Sequence, residues 1–167
     1  SEDIEKGQKI LDKNTFIRYQ ELGLIASAGY DTVRVFKKPK VKLIITGNEL
    51  VEPTKEEIDD AKIINSNQFT IKAMVEDSGA ICDIWHAGDT FDEVREAILD
   101  DCEDYDVIMT TGGTAISKGD VVLDVVEDIG EVLFHGVAIR PGKPAGAGII
   151  NGKMIFTFSG QPVAAMS

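Results

Sequence analysis

The chain has 167 residues, of which 43% are hydrophobic, and this is enough for one medium-sized domain with a sizeable core. Its formal net charge of −12 argues against nucleic acid as a partner, because a phosphate backbone is bound by a basic face. No apolar run approaches the roughly 20 residues that a membrane span needs, so no membrane partner is expected. The two cysteines and two histidines lack the spacing of a zinc site or disulfide framework, and we expect a cytoplasmic protein.

Residues 1–38 differ in pattern from the rest of the chain and are too few to build a core of their own. The spacing of their apolar residues predicts a helix at 18–28, and the alternation at 30–36 predicts a strand. A cluster of lysines and proline at 37–40 is the candidate linker. We therefore divide the chain into a partial N-terminal lobe, 1–38, and an α/β domain, 39–167.

From residue 41 onward, apolar runs typical of buried strands alternate with stretches whose apolar spacing is typical of helices. The predicted strands are 41–45, 80–86, 107–110, 131–139, 145–150 and 154–158, and the predicted helices are 68–78, 91–103 and 120–129. Asn151-Gly152 favours a hairpin between the last two strands. The alternation predicts a three-layer α/β/α domain around a mostly parallel, doubly wound sheet, with a truncated helix at the end of the chain.

The polar breaks after the predicted strands should lie together, because the carboxyl ends of parallel strands share one edge of a sheet. Three breaks follow strands directly, at 46–49, 88–89 and 111–114, and two Gly- and Pro-rich turns at 140–144 and 159–162 can reach the same edge. In the third break, two glycines let backbone N–H groups approach an anion at the start of a helix. The sequence therefore predicts a pocket for a small anionic ligand at this edge.

Taken together, these breaks carry motifs that resemble the molybdenum insertase family, which comprises MoeA in bacteria and archaea and the E domain of gephyrin in animals. The motifs are Thr-Gly-Asn-Glu-Leu at 46–50, Asn-Ser-Asn at 65–67, Gly-Asp at 88–89, Thr-Gly-Gly-Thr at 111–114 with Asp120, Ile-Arg-Pro-Gly-Lys-Pro at 139–144, and Ser-Gly-Gln-Pro at 159–162. The N-terminal segment is similar as well, through Leu-Gly-Leu-Ile-Ala-Ser-Ala-Gly at 22–29. The resemblance covers essentially the whole chain and implies the fold of the molybdenum-cofactor biosynthesis domain.

Three positions depart from the family's pattern. Asn48 replaces an aspartate, Gln161 lies in Ser-Gly-Gln-Pro where Pro-Gly-Asn-Pro is usual, and Gly136 replaces a lysine of some members. The resemblance implies altered ligand geometry at the first two positions and one lost contact to molybdate at the third. Full members also carry a second lobe and a β-rich domain, so we expect this chain to be a central piece of a larger insertase.

The resemblance implies an enzyme, a molybdopterin molybdotransferase, that ligates molybdate to adenylylated molybdopterin and releases AMP with the help of Mg²⁺. Asp120, Glu49 and Asp89 are then the candidates for catalysis and metal binding. The residues implied to hold the pterin substrate are Thr46, Gly47, Thr111, Gly112, Gly113, Thr114, Arg140, Pro141, Gly142, Lys143, Ser159, Gly160, Gln161 and Pro162. Backbone N–H groups, hydroxyls and two cations make this set suitable for phosphate and oxyanion.

The resemblance also implies a homodimer, allows a molybdopterin adenylyltransferase as a partner, and leads us to expect that this piece alone is inactive. Two other enzyme functions stay open on the same fold: a molybdopterin adenylyltransferase and a nucleotide-hydrolysing, competence-damage-type domain. The first is disfavoured, because residues 1–38 match the insertase and the loop at 112–115 reads Gly-Gly-Thr-Ala, whereas those enzymes favour Gly-Gly-Thr-Gly. A non-catalytic scaffold domain that binds a peptide is a third alternative.

Several of the candidate residues have plainer explanations. Asp89 and Asp120 can simply cap helices, because a carboxylate at a helix start accepts unpaired backbone N–H groups. Glu49 can be a solvated strand end, and Arg140 can be a surface charge beside a proline turn. The remaining residues of interest, Trp85, His86 and His135, are expected to pack or face solvent rather than to catalyse.

Overall fold

The computed structural model describes residues 4–54, 59–112 and 120–166. The chain divides into two compact units, Ser1–Lys37 and Lys38–Ser167. In the first unit, helix α1 (Tyr19–Ser27) forms as predicted. The prediction of a strand at 30–36 is wrong. This segment has no neighbouring strand to pair with among the described residues, and its Val35 and Phe36 side chains are exposed.

The second unit is built on a six-stranded sheet. The described strands of the chain are β1 (Lys40–Thr46), β2 (Leu50–Val51), β3 (Ile63–Ile64), β4 (Ile81–Ala87), β5 (Val107–Thr111), β6 (Glu131–His135), β7 (Gly146–Ile150) and β8 (Lys153–Phe158). The sheet has the order β4-β1-β5-β8-β7-β6, in which the first four strands are parallel and β7 runs antiparallel to both of its neighbours. The separate parallel pair of β2 and β3 was not expected, because strands of two residues show no period in the sequence.

Helices cover both faces of the sheet. They are α2 (Asn67–Asp77), α3 (Phe91–Leu99), α4 (Val121–Ile129) and the short α5 (Pro162–Ala165). α2 lies on one face, where Ile71 packs with Leu43 and Ile45, and α5 contacts α2 there. α3 and α4 cover the other face around Ile44 and Ile108. Because β1 is buried on both faces, as a central parallel strand should be, the three-layer α/β/α prediction is confirmed.

Two predicted elements are shorter than expected. α3 ends at Leu99 because Asp101 adopts a left-handed backbone with φ of 46°, and a separate 3-10 turn at Cys102–Asp104 follows. β6 ends at His135 because the next residue, Gly136, has φ of 87° and begins a loop. The other predicted helices and strands of the α/β domain agree with the observed ones to within one residue at each end. No helix in the described ranges is long and apolar enough to cross a bilayer.

Candidate functional site

The carboxyl ends of β1 and β5 form the floor of the site. Gly112 directly follows β5 and has φ of 96°. A Cβ placed on it would overlap the carbonyl oxygen of Thr46, so the close approach of β1 and β5 requires glycine at this position. The Thr46 hydroxyl is buried and has no hydrogen-bond partner among the described residues. Buried hydroxyls are normally paired, so this group is free to donate to a ligand oxygen.

Asn67 holds three parts of the floor together. Its Nδ2 donates to the Thr111 hydroxyl at 3.2 Å and to the Gly160 carbonyl at 2.9 Å. The Thr111 hydroxyl in turn donates to the Ser159 carbonyl at 3.1 Å. These bonds fix the start of α2 against the ends of β5 and β8. The sequence placed Asn67 only in a helix-cap cluster. Within that cluster Ser66 is the N-cap residue without a side-chain cap bond, and Asn65 accepts the Gln68 N–H at 3.3 Å.

Above this floor lies a cavity of about 920 Å³, a size suited to a cofactor-sized ligand. The predicted ligand residues that line it are Thr46, Thr111, Gly112, Arg140, Pro141, Gly142, Lys143, Ser159, Gly160, Gln161 and Pro162. Gly47 lines a neighbouring cavity of about 460 Å³, while Gly113 and Thr114 fall outside the described residues. One edge of the sheet therefore collects predicted ligand residues from four separate parts of the sequence.

The charges around the cavity are unevenly distributed. Arg140 and Lys143 form no ion pair or side-chain hydrogen bond within the described part of the chain, so both cations are free for a ligand. Of the described acidic side chains, only Glu49 lines the cavity. Its carboxylate lies against Gly47, where an added Cβ would come within 2.8 Å of Oε2. The cavity is thus suited to an anion, and one carboxylate, that of Glu49, lies in its lining.

Asp120 is buried at the start of α4, with 6% of its side chain exposed. Its Oδ1 accepts the Leu123 backbone N–H at 2.9 Å, and its Oδ2 lies 3.1 Å from Nε2 of His135. Burial raises the pKa of the Asp120 carboxyl, while the helix N–H and the nearby imidazole oppose this effect. Asp120 therefore does cap its helix, and it is not among the residues that line the cavity.

Asp89 occupies a different position from the one that a helix cap would need. Thr90 caps α3: its hydroxyl accepts the Glu93 N–H at 3.3 Å, and the Glu93 carboxylate accepts the Thr90 N–H at 3.1 Å. Asp89 instead accepts the Asn48 backbone N–H at 2.9 Å. The capping explanation for Asp89 is wrong, because the reciprocal Thr90–Glu93 pair fits the capping box and leaves Asp89 to brace the loop after β1.

The three predicted acids do not form a metal cluster. Across residues 4–54, 59–112 and 120–166, no group of three Asp, Glu, His or Cys side chains is close enough to hold a metal ion. Asp120 accepts a backbone N–H of α4, from Leu123, and Asp89 accepts one from Asn48 in the loop after β1. Mg²⁺ often binds through one or two carboxylates together with substrate phosphates. That arrangement stays a prediction for this chain.

Comparisons of this chain with a family model and with individual proteins all indicate the same family. Residues 42–167 match the family described as "Probable molybdopterin binding domain". A "Putative molybdopterin biosynthesis protein" of Methanocaldococcus jannaschii is 37% identical over 98% of this chain and 43% of its own length. A molybdopterin molybdenumtransferase of Staphylococcus aureus is 33% identical over 98% of this chain and 39% of its own length.

The solved structure of a molybdopterin biosynthesis MoeA protein from Pyrococcus horikosii is similar as well, with a TM-score of 0.84 and 32% identity. The alignment includes 98% of this chain and 41% of the Pyrococcus protein. The chain thus spans about two fifths of the length of these relatives. On the match over residues 42–167 and on this structural agreement, the chain belongs to the molybdopterin-binding domain family, in the form found at the centre of MoeA proteins.

Proposed function

We propose that this chain is the pterin-binding domain of a molybdopterin molybdotransferase, which ligates molybdate to adenylylated molybdopterin and releases AMP during molybdenum-cofactor biosynthesis. The observation that carries this proposal is the cavity of about 920 Å³, which combines two free cations with an unpaired threonine hydroxyl. The name of the Staphylococcus aureus relative gives the same reaction class.

In this proposal the turn at 140–144 binds the charged part of the substrate. The Arg140 guanidinium can donate to two phosphate oxygens at once, and the Lys143 ammonium adds a second charge. The Thr46 hydroxyl supplies a further donor from the floor. Thr111 contributes differently, because its hydroxyl is already committed to Ser159 and Asn67, so it maintains the floor rather than bonding the ligand.

Release of AMP requires water to form a bond to phosphorus while the bond to the AMP oxygen breaks. Glu49 is the described carboxylate that lines the cavity, and we assign it the task of orienting that water and accepting its proton. Asp120 and Asp89 act from outside the lining, by holding the start of α4 and the loop after β1. Magnesium, a homodimer, an adenylyltransferase partner and a cytoplasmic location stay predictions.

Calorimetric titration of this chain with adenylylated molybdopterin, AMP and ATP tests the proposal. We expect one site per chain that binds the adenylylated pterin more tightly than either nucleotide, since the cavity can hold the pterin and phosphates together. Absence of binding by the adenylylated pterin overturns the proposal. Formation of adenylylated pterin from ATP and molybdopterin would instead support the adenylyltransferase function.

A further inference from the structure

The Asp120–His135 pair is a buried contact between two parts of the site. Oδ2 of Asp120 and Nε2 of His135 lie 3.1 Å apart, and their side chains are 6% and 20% exposed. Neither atom has a partner with hydrogen-bond geometry among the described residues, so this short contact is the one polar interaction that each of them has there. A buried carboxylate oxygen and a buried ring nitrogen with no alternative partner depend on each other, because loss of either leaves the other unpaired.

A bulge in β6 turns His135 toward this contact. In a regular strand, residues three apart face opposite sides of the sheet. The pairing of β6 with β7 shifts register between Val132 and Phe134, so that both Val132 and His135 face α4. The ring also packs closely over β7, where a Cβ added at Gly146 would lie 3.3 Å from its Cδ2. The orientation of His135 is therefore fixed from two sides.

The loop that carries the two cations begins immediately after His135. Its backbone continues the pairing of β6 and β7, through the Gly136 N–H to the Ala145 carbonyl at 2.9 Å and the Val137 N–H to the Lys143 carbonyl at 2.9 Å. A displacement of His135 would thus be passed along paired backbone to Lys143. At its other end, the contact holds Asp120 and the first turn of α4.

From these contacts we infer that His135 is a positioning residue, whose close contact with Asp120 sets the position of the Arg140–Lys143 turn relative to the start of α4. The pair links two loops of the site without lining the cavity itself. The inference rests on the proposed function only for the identity of the anion that the turn binds. The spectroscopic part of its test needs no ligand.

Nuclear magnetic resonance can test the contact directly, because the chain contains only two histidines. We expect the His135 ring to carry a proton on Nε2, directed at Asp120. Asp120→Asn should change the ring nitrogen shifts of His135 and the amide signals of Gly136 and Lys143, while His86, whose side chain is 54% exposed, stays unchanged. An unprotonated Nε2, or an unchanged loop in Asp120→Asn, overturns the inference.

Binding of AMP provides the second measurement. His135→Leu removes the polar contact with Asp120 and should weaken AMP binding about tenfold, a common size for coupling between distinct sites. His135→Gln can place its amide nitrogen near the position of Nε2 and should restore most of the affinity, whereas His86→Leu should have no effect. Equal affinity in the parent and His135→Leu, or failure of His135→Gln to restore it, contradicts the positioning role. If the parent binds neither AMP nor adenylylated pterin, the proposed function fails instead.

Discussion

Asn67 donates a 3.2 Å hydrogen bond to the Thr111 hydroxyl, and with the same nitrogen it reaches the Gly160 carbonyl, 93 residues away in sequence. One amide group thereby joins a helix start to two strand ends. The donor cannot be exchanged for an acceptor, because the Gly160 partner is a carbonyl oxygen.

We predict that Asn67→Asp destabilises the protein by about 1–3 kcal/mol, the range for a buried polar group left without its partner. The new carboxylate would face the Gly160 carbonyl without a hydrogen to donate. Urea unfolding at neutral pH measures the change. Asn151→Asp makes the same substitution in the exposed β7–β8 turn and should leave stability nearly unaltered. Equal stability of the two variants would contradict the role of Asn67.

Gly112→Ala should abolish ligand binding, because the added Cβ overlaps Thr46 and pushes β5 away from the floor. The matched control is Gly79→Ala. Gly79 has φ of 92°, close to the 96° of Gly112, but a Cβ there meets no atom within 4 Å. Both variants share the backbone strain of a left-handed alanine, and only Gly112→Ala disturbs the site. Calorimetry with adenylylated pterin should separate them, and similar affinities would show that the floor tolerates the change.

Arg140→Ala should weaken binding of the adenylylated pterin by about 1.5–3 kcal/mol, which is the scale of a hydrogen bond to a charged group. Arg95→Ala is the control, since Arg95 lies in α3 and, within the described ranges, its side chain forms only an exposed ion pair with Asp128 at 3.7 Å. Titration of both variants at two salt concentrations provides the measurement. Parent-like affinity in Arg140→Ala would place Arg140 among the ordinary surface charges.

Asp120→Asn should become more stable relative to the parent as the pH rises. Burial raises the pKa of Asp120 in the folded state above its unfolded value of about 3.9, so between these two pKa values the folded chain binds more protons. The parent therefore loses stability across that window as pH increases, while asparagine does not titrate. Well below a pH of about 3.9 aspartate is protonated in both the folded and the unfolded state, so the stability of the parent no longer changes with pH on account of Asp120.

Urea unfolding of parent and Asp120→Asn from pH 3 to pH 8 gives the measurement. Asp128→Asn serves as the control, because it removes an exposed carboxylate from the same helix. A stability difference between parent and Asp120→Asn that stays constant with pH, or that moves in the parent's favour, would contradict the prediction.

Much of the fold follows from local sequence. The apolar run of β1 and the Asn151-Gly152 turn each determine their structure within a few residues, so both could be predicted. The segment at 30–36 has the alternation of a strand but forms none, because a strand also needs a partner that its own residues cannot supply. Pattern alone therefore predicts elements best where the pairing partner is adjacent or the segment is fully buried.

The sequence predicts where the site lies better than it predicts the role of each residue in it. Glycine and threonine after parallel strands locate the edge, because strand direction decides where those residues meet. Asn67 and His135 could not be assigned in advance, since Asn67 acts on a carbonyl 93 residues distant and His135 faces α4 only because β6 is bulged. Asp89 and Thr90 are both adequate helix caps in sequence, and the reciprocal bonds of Glu93 decide between them.

We expect the bulge in β6 to limit association between copies of the protein at high concentration. β6 is an edge strand, and Leu133 and Phe134 on it are each 47% exposed. A regular edge with exposed apolar residues offers a second molecule a row of unpaired backbone groups to extend. The extra residue between Val132 and Phe134 interrupts that row and twists the strand. The same irregularity that directs His135 toward α4 should therefore also protect the edge against strand-to-strand aggregation.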